Sequence, residues 1–173
     1  MKAVVVTDGS LPIGNIRSLC DMTVPDPPPP AGRDLLVRLH AVSVNPRDVK
    51  SRIVVQANAD ILRVLGYHAS GVVEASGPQA RLFSPGQEVF DAGDLERQGS
   101  NAELQLVDER IVGRKPASIS HSAAASLRLT ALTAYEMMFD RFDVPSRTSR
   151  DQKASILIVG GAGGVPTMAI QFA

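Results

Sequence analysis

The 173-residue sequence contains one cysteine, Cys20, and no tryptophan. A single cysteine excludes an internal disulfide and a zinc site made of several cysteines, which favours a reducing, intracellular setting. The 18 basic residues balance the 18 acidic ones, so no net charge attracts the chain to nucleic acid or to anionic lipid. No apolar run approaches the roughly 20 residues of a membrane helix, and the first run is too short for a signal peptide. We therefore expect a cytoplasmic protein that handles small molecules and binds neither nucleic acid nor membrane.

Short strands separated by turns account for residues 1–116. In the segment 34–44, Leu35, Val37 and Leu39 share one face and polar residues occupy the other, which is typical of a half-buried antiparallel strand. The four prolines at 27–30 predict a stiff surface connector. Turn signals recur about every 8 to 12 residues, a spacing that favours a small, partly open β-barrel. Because only 4% of the residues are aromatic, we expect an aliphatic interior.

The composition changes to that of a helix after residue 117. Ser120 fits an N-cap in front of an alanine-rich run. Over residues 130–142, Leu132, Tyr135 and Phe139 share one helical face. We expect a helix that leads from the barrel to a polar loop at 143–153.

The last nineteen residues have the pattern that opens a dinucleotide-binding βαβ unit. An apolar run at 156–159 predicts a strand, a glycine cluster predicts a phosphate loop, and the residues after it have helical spacing. Residues 161–166 match G-x-G-x-x-G except that Pro166 replaces the third glycine. Proline in the first helical turn costs no intrahelical bond, but it disfavours the α conformation at Val165 and removes an N–H that could face a phosphate. We therefore expect the helix to form and the cofactor to bind weakly.

An apolar strand at 156–159 without strand neighbours would invite a partner or aggregation. A homo-oligomer that forms through this segment is therefore one expectation for the chain.

Several blocks of sequence together resemble the medium-chain dehydrogenase/reductase superfamily, and within it the quinone-oxidoreductase branch often labelled zinc-type alcohol dehydrogenase-like. The blocks occur in the expected order along the whole chain, at residues 41–50, 64–74, 85–90, 99–103 and 129–136. The resemblance implies a GroES-like barrel domain over 1–122. It implies a linking helix and the first strand, loop and helix of a truncated Rossmann domain over 123–173. The fold class is thus mainly β with an α/β tail.

The resemblance also implies an activity and a site. It implies that NADPH binds in a cleft and that a quinone or an α,β-unsaturated carbonyl accepts the hydride. The matching catalytic positions are Asn45, whose amide could hold an oxygen, and Tyr67, which could donate a proton or cover the nicotinamide. The matching cofactor-binding positions are Thr130, Thr133, Gly161, Gly163, Gly164 and Val165. An Asx turn before Pro46 and an aromatic at the rim of the cleft are the alternative interpretations of Asn45 and Tyr67.

No metal site is expected, although the family label mentions zinc. Members with a catalytic zinc have cysteine at the position of Asn45 and histidine at the position of Tyr67. The three histidines of this chain, His40, His68 and His121, have no ligand-like spacing. The choice between NAD and NADP depends on a residue about 20 positions beyond the glycine loop, so NADPH rests on the family alone.

Three functions remain open from the sequence. The first is a zinc-independent oxidoreductase whose isolated chain has weak activity or none. The second is a non-catalytic GroES-like binding or assembly module, and the third is a gene fragment without a selected function.

Overall fold

The computed structural model describes residues 1–12, 14–54, 62–145 and 155–173. The chain divides into two compact units, Met1–Ser126 and Leu127–Ala173. The predicted polar loop at 143–153 falls mostly outside the described residues. No helix within the described ranges is both long enough and apolar enough to cross a bilayer.

Among its described residues, the first unit contains eight strands, a short helix and the start of a second helix. In chain order, the elements of the first unit are β1 Lys2–Val6, β2 Cys20–Thr23, β3 Asp34–Val42, α1 Pro46–Val54, β4 Arg63–Val64, β5 Ala69–Ser76, β6 Glu88–Asp91, β7 Leu104–Asp108, a 3-10 turn Glu109–Ile111 and β8 Val112–Arg114. Two antiparallel sheets result, one with the order β2-β1-β4 and one with the order β7-β3-β5-β6-β8. The structure confirms the mainly β, partly open barrel expected from the sequence.

Strand β3 is central because its alternation gives it one apolar face. Leu35 and Val37 are both fully buried, and Leu39 packs partly against the same core. The rest of this core is aliphatic apart from one phenylalanine, and it consists of Val73, Phe83, Val89, Val107 and Val112. Burying each such side chain contributes about 1.5 to 3 kcal/mol, so this face holds the five-stranded sheet together.

Glycine is required where β5 meets β3. A Cβ atom on Gly71 would lie 2.1 Å from the carbonyl oxygen of Arg38, which no side chain tolerates. The register between these strands also shifts between Leu36 and Val37 and between Leu39 and Ala41. Such bulges bend a strand and increase its twist, which curls the sheet toward a half-barrel.

A helix that starts in the first unit continues into the second. Helix α2, His121–Tyr135, begins after Ser120, whose hydroxyl oxygen accepts a hydrogen bond from the N–H of Ala123 at 3.2 Å. The predicted N-cap is therefore confirmed. The helix predicted to reach residue 142 instead ends at Tyr135 and is followed by a π-helix, Glu136–Arg141.

The second unit has a small core between α2, the π-helix and α3, which spans Gly164–Phe172. Ala134, Met138 and Ala169 are fully buried there. The aromatic residues of the predicted helical face lie beside this core, with the Tyr135 and Phe139 ring centroids 4.8 Å apart.

The strand predicted at 156–159 is wrong. Residues 155–158 have no regular secondary structure, and Val159 begins a turn. A strand requires a hydrogen-bonded neighbour, and no described strand pairs with this segment. Leu157 and Val159 are consequently 88% and 82% exposed.

Candidate functional site

Asn45 lies between the end of β3 and the start of α1. Pro46 occupies the first helical position, where its missing N–H costs nothing. The N–H of Asp48 donates to the Asn45 carbonyl oxygen at 2.9 Å, and Asp48 Oδ2 accepts the N–H of Asn45 at 2.8 Å. This reciprocal pair resembles a capping box and closes the turn without the Asn45 amide. The amide is therefore available for another role.

Ser43 orients that amide, and Ser43 and His68 share one carbonyl group as a hydrogen-bond partner. The carbonyl oxygen of Ala125 lies 3.1 Å from Ser43 Oγ, which donates to it, and 2.9 Å from His68 Nδ1. Because Ser43 uses its hydroxyl proton in this way, its oxygen accepts the N–H of Asn45 Nδ2 at 3.4 Å. Within the part of the chain that the structure describes, no other group bonds to the Asn45 side chain, so its Oδ1 and its second N–H are open to a ligand.

His68 is fully buried. Burial lowers its pKa, and the hydrogen bond to Ala125 and the charge of Asp48 oppose this effect only in part. The neutral ring therefore carries its proton on Nδ1 and leaves a lone pair on Nε2, which has no hydrogen-bond partner among the described residues. The sequence offered no signal for this role, since His68 bonds to a residue 57 positions away.

Tyr67 is in the same region of the first unit and is buried, with 4% of its surface exposed. The N–H of Ser43 donates to the His68 carbonyl at 3.3 Å, so the segments that carry Asn45 and Tyr67 run side by side. The guanidinium carbon of Arg47 lies 5.9 Å from the centroid of the Tyr67 ring, within the range of a cation–π contact. The proton-donor role of Tyr67 stays a prediction.

The predicted cofactor-binding residues all lie in the second unit. A turn closes where the N–H of Gly163 donates to the Gly160 carbonyl at 3.0 Å, and α3 then begins at Gly164. The residue with positive φ, at 74°, is Gly160 rather than Gly161, which the motif had assigned to the tight turn. The hydroxyl of Thr167 donates to the Gly163 carbonyl oxygen at 2.7 Å and lies 3.1 Å from the Gly161 carbonyl oxygen, which closes the loop.

Thr130 contacts this loop. A Cβ atom on Gly164 would lie 3.0 Å from Thr130 Cγ2, so the absence of a side chain is what allows α2 and the loop to meet. Thr133 is exposed further along α2. Val165 has a helical conformation despite the proline after it, so Pro166 does not prevent the helix.

Groups that could bind a metal do not gather in the described part of the chain. No set of three histidine, cysteine, aspartate or glutamate residues lies close enough to hold an ion there. His40 and His121 do meet, but their rings stack at 4.7 Å with an interplanar angle of 19°. Stacked rings do not direct their nitrogen atoms toward a common point in the way that a metal site requires.

A family model and the curated relatives both identify this chain as similar to alcohol dehydrogenase-like proteins. The alcohol dehydrogenase GroES-like domain matches residues 31–124. A zinc-type alcohol dehydrogenase-like protein of Staphylococcus aureus is 49% identical over 146 residues, which cover 84% of this chain and 43% of the relative. The chain thus spans less than half the length of this curated relative.

Solved structures agree with the fold. A protein from Rhizobium etli CFN 42, named for the zinc-dependent alcohol dehydrogenases, is 50% identical with a TM-score of 0.89, and the match covers 99% of this chain and 49% of that one. Mycobacterial Rv1454c, solved in complex with NADPH, is 27% identical with a TM-score of 0.77, over 99% of this chain and 49% of that one. The chain belongs to the medium-chain dehydrogenase/reductase superfamily and carries the N-terminal half of its fold.

Proposed function

We propose that the protein serves a zinc-independent, NADPH-dependent oxidoreductase reaction in which a quinone or an α,β-unsaturated carbonyl accepts the hydride. The observation that carries this proposal is the turn of glycines in front of α3, packed on Thr130. The NADPH complex of the mycobacterial relative supports the choice of cofactor. The resemblance of the sequence blocks to the quinone-oxidoreductase branch supports the choice of acceptor.

The residues of the loop fit a pyrophosphate. The first N–H groups of a helix have no intrahelical partner and point toward an anion, and here Gly164 and Val165 supply them. Gly163 and Gly164 have no side chain to obstruct a phosphate, and Gly161 lies in the same turn. Pro166 removes one N–H from the set, so we expect binding weaker than low micromolar in a fluorescence titration with NADPH.

When bound, NADPH supplies the hydride, and the protein must orient the acceptor and stabilise the charge that develops on its oxygen. Asn45 suits this task because its second Nδ2 N–H is not needed by Ser43. The shared carbonyl of Ala125 holds Ser43, and Ser43 in turn holds the amide. Because the Asn45 N–H donor is already oriented, it does not have to move when negative charge develops on the oxygen of the acceptor.

The test is the rate of NADPH consumption by the purified chain with 1,4-benzoquinone and with an enone. We expect Asn45→Ala to lower kcat about a hundredfold, as removal of one fixed donor does. Asn15→Ala, in an exposed loop of the same unit, is the matched control and should leave kcat unchanged. Absence of any protein-dependent consumption of NADPH, together with absence of NADPH binding, would overturn the proposal.

A second function, a non-catalytic binding or assembly module, is favoured by the exposed Leu157 and Val159. Two bare aliphatic side chains beside a small core offer a surface to another chain. A monodisperse dimer without reductase activity would support this function. A monomer that reduces either acceptor would exclude it.

A further inference from the structure

The first turn of α1 places a cation beside the candidate site. Arg47 is exposed, and its guanidinium lies over the ring of Tyr67. Because only 4% of Tyr67 is exposed, the guanidinium is the member of this pair that meets a ligand. Asn45, whose amide is held by Ser43, is two residues away.

Four arginines of the first unit are neutralised by carboxylates, and Arg47 is not one of them. Glu109, Glu74, Asp34 and Asp108 form ion pairs with Arg33, Arg38, Arg97 and Arg110, respectively. Within residues 1–12, 14–54, 62–145 and 155–173, no carboxylate forms an ion pair with Arg47.

The carboxylate nearest in sequence does not compensate this charge directly. Asp48 is buried, with 7% of its surface exposed, and its Oδ2 bonds to the N–H of Asn45. The positive end of the α1 dipole adds to the field of the guanidinium at this turn. The guanidinium of Arg47 is therefore an exposed positive charge at this turn, although the whole chain has no net charge.

We propose that Arg47 selects an acceptor that carries a carboxylate near its reducible carbonyl, an inference that rests on the proposed function. The planar guanidinium forms two parallel N–H···O bonds with a carboxylate, and the cation–π contact with Tyr67 restricts its plane in advance. A carboxylate held by Arg47 brings the adjacent carbonyl to the Asn45 amide. Substrate recognition is thus divided between a charge and an amide in one turn of chain.

The experiment compares 3-benzoylacrylic acid, an enone with a carboxylate, with its methyl ester. We expect kcat/KM for the acid to exceed that for the ester by about tenfold, the effect of one charge-assisted contact. Arg47→Gln should abolish this preference through KM, with kcat for the ester unchanged. Lys50→Gln, an exposed cation on the same helix, is the matched control and should retain the preference. Because the contact is partly exposed, added salt should reduce the preference.

A direct binding measurement separates the two proposals. In NMR titrations without NADPH, the acid but not the ester should shift the Nε–H resonance of Arg47 and the side-chain amide resonances of Asn45. Binding of the acid at Arg47, with no reduction of either compound and no binding of NADPH, would refute the proposed function and support this inference. Equal rates for acid and ester, unchanged in Arg47→Gln, would overturn the inference and leave the function intact. An increase in the KM for NADPH in Arg47→Gln, with an unchanged ratio of acid to ester, would overturn it as well, because Arg47 would then bind a cofactor phosphate.

Discussion

Replacement of His68 by phenylalanine should change how the stability of the protein depends on pH. His68 is fully buried and neutral, and burial lowers its pKa below the ordinary value of 6.5. In the unfolded chain the same ring takes up a proton near pH 6.5. Between its folded and unfolded pKa values the unfolded state therefore binds more protons, so the free energy of unfolding falls as the pH falls through this window.

The slope of the free energy of unfolding against pH depends on how many more protons the unfolded state binds than the folded state. One proton contributes a slope of at most about 1.4 kcal/mol per pH unit. His121 has the same sign, because burial and the charge of His40 lower its pKa more than Glu88 raises it. Together the two rings can contribute a slope of at most about 2.7 kcal/mol per pH unit between their folded and unfolded pKa values, and His68→Phe removes the contribution of one ring.

The pH-independent part of the substitution should be small. Phenylalanine loses the hydrogen bond to Ala125, worth about 1 kcal/mol, but that carbonyl keeps its bond from Ser43. Removal of Nε2, which has no hydrogen-bond partner among the described residues, stabilises the folded state by about 1 to 3 kcal/mol. Fitting the larger phenylalanine ring costs a similar amount. These contributions are the same at every pH, so they do not affect the slope.

Urea unfolding followed by circular dichroism, at several pH values between about 8 and about 5.5, gives the slopes directly. His121→Phe is the matched variant and should flatten the dependence by a similar amount, and the double variant should nearly abolish it. A slope for His68→Phe equal to that of the wild type would refute the assignment of a neutral, buried His68.

Two further outcomes test the barrel itself. Gly71→Ala should destabilise the protein by about 3 kcal/mol because a methyl group cannot fit 2.1 Å from the Arg38 carbonyl, whereas Gly14→Ala, with open space around it, should be neutral in the same urea titration. Glu109 accepts the N–H groups of Arg81 and Leu82 and pairs with Arg33; burial alone would raise its pKa, but these partners lower it. Glu109→Gln should therefore lower the urea midpoint at neutral pH more than the control Glu74→Gln, which breaks only an exposed ion pair. The difference between the midpoints of the two variants should vanish at low pH, where Glu109 of the wild type is protonated.

Local sequence patterns were sufficient to predict much of the fold. The alternation of Leu35, Val37 and Leu39 predicts a buried face, and the structure buries it. Ser120 predicts a helix start, and its oxygen accepts the expected bond. In both cases the physical cause lies within a few residues, so a single sequence contains it.

The predictions from sequence failed where the structure of a segment depends on residues that are distant along the chain. The apolar run 156–159 has the composition of a strand, but a strand exists only with a neighbour, and none pairs with it in the described part of the chain. The same reason explains the missed site residues. Ser43 and His68 meet at the carbonyl of Ala125, which lies 82 and 57 residues from them.

The sequence by itself determined the family, the order of the strands along the chain, the glycine loop and the position of Asn45 after a strand end, because each depends on neighbouring residues. The tertiary structure alone decided that one shared carbonyl orients Asn45, that His68 is neutral and buried, and that Arg47 lies over Tyr67. Those features arise where remote segments pack together, and their burial and distances set the charges and donors that a ligand meets.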